Sequence, residues 1–424
     1  MHLYESEHRH RVALVLTIGA EGRKFRFSAA CETADVNARY DVVIVGAGLV
    51  GLSLAPALAR SGLSVALVDR GPMADVDTEA QALDARIYAI SPGSAAFLRA
   101  IGAWQALDSE RVAPIESMRV EGDGGGLIEF SAYDLGERAL AWIVEERELR
   151  AALLRTVRKA GIDLVANATL DTIAWSVSAA TLKLPDGKRI DARLVIGADG
   201  ARSWVREAAG IVAEPKSYGQ TAVVGNFACE RAHHGRAYQW FRDDGGVLAW
   251  LPLPGRRISM VWSAPDALAQ SLLDEREALS ARVAAAGHHA LGALVSIAPA
   301  AGFPLRFLRL PTSVALRLAL VGDAAHGVHP LAGQGVNLGF GDAQTLAAIL
   351  AERGPVTDAG ASILLERYAR RRAEPVLAMQ AVTDGLARLF GPPTPWLKSL
   401  RNAGISAVDR LPLLKRALAQ PALR

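Results

Sequence analysis

Asp41-Val42-Val43-Ile44-Val45-Gly46-Ala47-Gly48-Leu49-Val50-Gly51 is the stretch on which the fold turns. After its first residue it is continuously apolar to Val45, as expected of a parallel strand covered on both faces. It runs directly into Gly46-x-Gly48-x-x-Gly51. Leu52, Ala55, Leu58 and Ala59 then supply the apolar face of a small-residue helix ending near Ser61-Gly62, with Pro56 predicting a local bend. Ser64-Val65-Ala66-Leu67-Val68 reads as a second strand ending at Asp69, close to the roughly 20-residue interval at which a dinucleotide site places its ribose-binding acid. In such a βαβ unit Gly46 permits the sharp bend, Gly48 admits a pyrophosphate, Gly51 lets helix and strand approach, and Asp69 accepts ribose hydroxyls. Arg70, the next residue, is grouped with these candidates.

Farther along, Leu320-Val321-Gly322-Asp323-Ala324-Ala325-His326-Gly327-Val328-His329-Pro330-Leu331-Ala332-Gly333-Gln334-Gly335-Val336-Asn337 combines a buried strand, a Gly-Asp pair, a proline turn and a glycine-rich entry into the helix of Leu346, Ile349 and Leu350. The glycines let backbone approach a flat ligand, and N–H groups opening a helix face negative charge. With the first turn, this one describes both ends of a bound FAD. Leu194 to Ser203 is a further strand-to-turn segment, and Asp199 and Asp323 fit one extended ligand lying over the sheet. His326 and His329 are spaced by three but have no Glu or Cys cluster beside them, so no metal site is expected. His233-His234 and His288-His289 read as surface or loop residues.

Ser91-Pro92-Gly93-Ser94 is a helix N-cap with proline at the first position, and Glu146 to Leu154 opens an amphipathic helix ending at Gly161. Arg86 and Arg147 admit two readings, flavin phosphate contacts or surface ion pairs. From Thr221 to Ser263 the pattern alternates like strands and carries Phe227, Tyr238, Trp240, Phe241, Trp250 and Trp262, a separate and mainly antiparallel layer. Helices follow Gly354-Pro355, with Arg370-Arg371-Arg372 on a solvated face. The tail places Trp396, Leu400, Ile405, Val408 and Leu411 at helical spacing beside Lys398, Arg401, Arg410, Lys415 and Arg416.

A chain of 424 residues, 51% hydrophobic, supports a large core and two or three domains. Cys31 and Cys229 are too few for a disulfide framework and suit a reducing cytoplasm. The net charge of +3 is scattered, which argues against nucleic acid. No apolar run approaches the ~20 residues that span a bilayer, so a membrane role would be peripheral. In Met1 to Arg39 the run Val12 to Leu16 follows Arg9 and Arg11, but Glu5, Glu7, Glu21 and Arg23 interrupt any signal-peptide pattern. This segment is expected to lie outside the fold and to add nothing to the flavin site.

From Tyr40 onward the segments around Gly46, Asp199 and Asp323 resemble the three FAD fingerprints of the class A flavoprotein monooxygenases, the group of para-hydroxybenzoate hydroxylase. Within it, His329 to Asp342 is similar to the signature of the ubiquinone-biosynthesis ring hydroxylases. The resemblance implies an α/β (α+β overall) fold: a Rossmann-like FAD-binding domain (40–114, 140–213 and 303–375), an inserted mainly antiparallel β-sheet substrate domain (115–139 and 214–302) and C-terminal helices (376–424). It implies that Gly46, Gly48, Gly51 and Asp69 hold the ADP half of FAD and that Asp323 meets the ribityl chain. Gly333, Gly335, Val336 and Asn337 would then lie at the pyrimidine edge. Asp199 matches a segment with joint FAD and NAD(P)H contacts, and Arg86 and Arg147 match basic positions near the cofactor. Pro330 and Leu331 would line the ring face where dioxygen is activated, a 4a-hydroperoxide delivering oxygen to a prenylated phenol. The aromatic layer from Tyr238 to Trp262 would face the flavin as the phenol pocket. Location would be cytoplasmic, with the tail contacting the inner face of the membrane or a quinone-synthesis complex. Three rivals remain: a halogenase, whose tryptophan motif Leu248-Ala249-Trp250-Leu251-Pro252 lacks, a reductase of prenyl chains, and a non-catalytic FAD-binding scaffold.

Overall fold

The computed structural model describes residues 38–74, 83–329, 333–391 and 395–423. Pro330 and Leu331 lie outside the described residues, as does the expected extension up to residue 37. The chain opens with β1 (Arg39–Val45), α1 (Leu49–Ala59), β2 (Val65–Val68), β3 (Ile87–Ile90) and α2 (Pro92–Ala100). Next come β4 (Ala113–Ile115), β5 (Ser117–Glu121), β6 (Leu127–Ser131), the one-turn α3 (Ala132–Leu135), β7 (Ala141–Glu145) and α4 (Glu146–Lys159). After β8 (Asp163–Val165), β9 (Thr172–Trp175), β10 (Ala180–Lys183), β11 (Arg189–Gly197) and α5 (Trp204–Ala208), the chain builds the long β12 (Lys216–Cys229), β13 (Arg236–Phe241), β14 (Val247–Leu253) and β15 (Arg257–Pro265). Helices α6 (Asp266–Asp274) and α7 (Arg276–Ala286) precede β16 (Leu294–Ser296), β17 (Ala301–Arg309), β18 (Val314–Ala315), β19 (Leu318–Leu320) and β20 (His326–Gly327). The chain closes with α8 (Gly335–Ala351), α9 (Ser362–Leu389), α10 (Pro395–Asp409) and α11 (Pro412–Leu423).

The first sheet runs in the order β18-β19-β11-β1-β2-β8, and β1 is parallel to both neighbours. Successive strand residues point to opposite faces, so an apolar run without gaps requires two cores. Val42 and Ile44 enter one with Leu52 and Leu58 of α1 and Leu346 and Ile349 of α8. Val43 and Val45 enter the other with Val195, Leu318 and Leu320. Pro56 lies inside α1, which continues to Ala59.

The second sheet has the order β20-β17-β12-β15-β14-β13-β5-β6. β12, β15, β14 and β13 form an antiparallel meander, and β5 joins β13 in parallel. β17 pairs with β12 from Lys216↔Phe307 to Val224↔Ala301, so the boundary expected at 303 falls inside a strand of this sheet. The junction expected at 375 falls likewise inside α9, which passes through Pro375 unbroken.

One expectation is overturned here: the tryptophans of the second sheet do not face the first. Trp240, Trp250 and Trp262 pack with Leu272 of α6 and with Leu279 and Val283 of α7, and a Cβ at Gly287 would come within 2.3 Å of Trp250. Parity is the reason. Even positions of β13, β14 and β15 point to these helices, whereas Ala237, Leu251 and Leu253 pack with Ile143 of β7 on the opposite face.

The tail folds back on the β5–β6 hairpin. Buried Arg401 pairs with Asp123, and the Asn402 amide oxygen accepts from the backbone N–H groups of Gly124 at 3.0 Å and Gly126 at 2.9 Å. Lys398, Lys415 and Arg416 are also engaged within the chain, with Asp243, Asp409 and the Asp134 carbonyl. Trp396, Leu400 and Leu411 remain exposed. No helix among the described residues is long and apolar enough to cross a membrane.

Candidate active site

At the nucleotide end, Gly46 has φ +111°, and a Cβ there would lie 2.3 Å from the Ala198 carbonyl oxygen. A Cβ at Gly51 would lie 2.0 Å from the Gly46 oxygen, so sterics require both glycines. Gly48 differs, because a Cβ there meets nothing within 4 Å. The backbone at Gly48 faces open space, and no side chain caps α1, which leaves its leading N–H groups free for anionic oxygens. The Asp69 carboxylate accepts from the N–H of Ala47 at 2.6 Å and of Gly71 at 2.6 Å. It therefore shapes the turn while keeping lone pairs for further donors. Arg70 is exposed. Sequence reasoning missed Arg150, whose guanidinium donates to the carbonyls of Ala47 at 3.0 Å and Pro72 at 3.2 Å; its place one turn after Glu146 on α4 was the available signal.

At the other end, the Asp323 side chain is accessible between the buried Gly322 and Ala324. Its carboxylate accepts no hydrogen bond among the described residues, and partial desolvation by the protein packed around it raises its pKa, with His326 and Arg86 opposing. Gly322 has φ +60° and touches Val50 of α1, as does Gly339 of α8, where a Cβ would lie 2.5 Å from Val50 Cγ2. The two turns are thus packed into one site. Helix α8 starts at Gly335 without a side-chain cap, and a Cβ at Gly335 meets nothing within 4 Å. Gly333 has φ +62° and Val336 is half-buried. Asn337 joins α8 to the β3–α2 junction, donating to the Ala89 carbonyl at 2.8 Å and accepting from Ser91 N–H at 3.0 Å.

The remaining candidates divide. Arg86 pairs with Glu146 at 3.1 Å and lies 4.9 Å above the Phe303 ring, at the meeting of the two sheets and near Asp323. Arg147 turns toward Glu145, 3.6 Å away. Asp199 is committed to its own turn, accepting from Ser203 Oγ at 2.5 Å and Val205 N–H at 3.0 Å; burial raises its pKa against these bonds. His326 and His329 point to different partners, Asp342 at 2.6 Å and the Gln220 side-chain oxygen at 3.0 Å. Burial lowers the His329 pKa to about 4, so its imidazole is neutral. The Gln220 amide nitrogen donates to the Gly245 carbonyl at 3.0 Å, which leaves its oxygen to accept from His329 Nε2–H.

These features fit FAD: two uncapped helix starts led by open glycines, and at the second turn a carboxylate that accepts no hydrogen bond among the described residues. Residues 39–383 match the family described as FAD binding domain. The chain is 39% identical to ubiquinone hydroxylase UbiL of Rhodospirillum rubrum over 387 residues, covering 90% of this chain and 89% of the relative. It is 34% identical to the 3-demethoxyubiquinol 3-hydroxylase of Escherichia coli, covering 90% and 98%. PqsL of Pseudomonas aeruginosa, solved in complex with 2-aminobenzoylacetate, shares 25% identity and a TM-score of 0.72 over 87% of this chain and 99% of that one. The cofactor is FAD and the enzyme a monooxygenase. Its geometry and its likeness over nine-tenths of its length agree: the chain belongs to the ubiquinone-hydroxylase family of class A flavin monooxygenases.

Proposed function

We propose that this enzyme hydroxylates the aromatic ring of a polyprenylated phenol in ubiquinone biosynthesis, with NAD(P)H as reductant. The observation that carries the reading is the likeness, over nine-tenths of this chain, to UbiL and to the 3-demethoxyubiquinol 3-hydroxylase. FAD supplies the redox chemistry, drawing electrons from the reductant and activating dioxygen. The protein's part is binding and orientation. Gly46, Gly48, Gly51 and Asp69 receive the ADP half, and Asp323 receives the ribityl hydroxyls. The N–H groups of Gly335, Val336 and Asn337 stabilise negative charge at the pyrimidine edge. The substrate wall is the face of the second sheet opposite the tryptophans, where Phe303, the cross-strand partner of Ala222, lies beneath Arg86.

The exposed Trp396, Leu400 and Leu411 support peripheral contact of the tail with the inner membrane surface, from which a prenylated substrate would be drawn. The test supplies reductant, a prenylated phenol and labelled dioxygen to the purified protein in detergent. One labelled oxygen in a hydroxylated ring is expected. Reduction or halogenation of the substrate, or a product without label, overturns the reading.

A further inference from the structure

Asn226 of β12 and Ser259 of β15 are cross-strand partners in the antiparallel ladder, and both are fully buried at 0% exposure. Their side chains carry buried polar atoms without a hydrogen-bond partner, Asn226 Oδ1 and Ser259 Oγ. A buried polar atom left unpaired costs about 1–3 kcal/mol, so two on directly opposed residues need a reason. Directly opposed side chains project from the same face of a sheet. That face looks toward the cofactor domain, because Asn226 Nδ2 donates to the Asp84 carbonyl at 2.8 Å, two residues before Arg86. The same bond fixes the amide orientation and makes the free atom an acceptor. Ser259 supplies a hydroxyl that both donates and accepts. Neighbouring positions are apolar: Val224 and Val261 on the same two strands, and Leu251 opposite Ser259 on β14.

We propose that Asn226 and Ser259 form the polar anchor of the aromatic substrate, taking an oxygen substituent of the ring. A ring hydroxyl donates to Asn226 Oδ1 and accepts from Ser259 Oγ–H, while the ring lies on Val224 and Val261. A site built to hydrogen-bond a substrate hydroxyl discriminates strongly against an analogue that lacks it, since its own polar atoms are then left unpaired. The anchor is therefore a specificity element for oxygenated rings, and it rests on the ring-hydroxylase reading.

Ser259→Ala carries the test, because Asn226 also holds the Asp84 carbonyl and its replacement endangers the fold. Binding of a prenylated phenol and of its counterpart lacking the ring hydroxyl is measured on FAD-loaded protein by perturbation of the flavin spectrum. Thermal unfolding of the protein without substrate is followed in parallel. The expected result is a roughly tenfold weaker dissociation constant for the phenol, little change for the deoxy counterpart, and a thermal midpoint equal to or above that of wild type, since an unpaired hydroxyl has been removed. Unchanged affinity for the phenol overturns the anchor. So does an equal loss for both ligands, or a lowered midpoint with unchanged discrimination, which would mark a structural hydroxyl or a buried water site. Failure of the wild type to bind any prenylated phenol overturns the ring-hydroxylase reading as well, so the two failures are distinct.

Discussion

His326 and Asp342 are joined at 2.6 Å, Nε2 to Oδ2, with both side chains buried. The same carboxylate accepts from the backbone N–H of Gly322 at 2.9 Å and from Arg372 Nε at 2.6 Å. A residue on α8 thus holds the turn that presents Asp323 and ties both to α9.

Replacing Asp342 with Asn should therefore be severe. It leaves His326 and Arg372 in the interior without their counter-charge, an error that costs about 3–5 kcal/mol in buried pairs. A large drop in urea unfolding free energy and loss of bound FAD are expected on purification. A variant that stays yellow with wild-type stability would show that the carboxylate is dispensable.

Alkaline pH should weaken the same junction. Burial opposes the imidazolium of His326, but Asp342 outweighs it and raises the pKa above the ordinary 6.5. Arg372 opposes that rise, and Asp323 supports it. The stabilisation is full below the unfolded value and is lost as pH rises through the folded one. Thermal midpoints measured from pH 6 upward should fall more steeply for wild type than for His326→Gln; parallel curves would contradict this.

His329 should behave in the opposite sense. Its folded pKa of about 4 against an unfolded 6.5 means that the unfolded chain binds the proton first. The contribution is complete above pH 6.5 and disappears between 6.5 and 4. The interval corresponds to about 3 kcal/mol. Unfolding titrations of His329→Gln should show a flatter acid limb than wild type, and an identical limb would rule the group out.

Gly48 and Gly46 should separate binding from folding. Gly48→Val places its branch in open space, so the protein should fold at wild-type stability yet emerge colourless, because the branch fills the volume the pyrophosphate needs. Gly46→Ala drives a Cβ to 2.3 Å from the Ala198 oxygen at φ +111°, and backbone strain of this kind costs about 1–3 kcal/mol. Its circular-dichroism melt should therefore move down even without FAD. Equal melts for the two variants would defeat the distinction.

The βαβ unit was legible because each of its signals is local. Val42 to Val45, the glycines of the turn and the run into Asp69 constrain backbone geometry within some thirty residues, and the structure places β1, α1 and β2 on them. The Ser91 cap and the extent of α4 were readable for the same reason. Pairing between distant strands has no such signature. The sequence announces the tryptophans of β13 to β15, but a strand's two faces are equivalent until other elements cover them, and only α6 and α7 decide which face is core. Three aspartates follow strands alike, yet tertiary neighbours commit Asp199 to Ser203, share Asp69 with Ala47 and Gly71, and leave Asp323 without a hydrogen bond among the described residues. Asn226 and Ser259 became a pair through the β12–β15 register, a relation between strands that periodicity within either one does not contain.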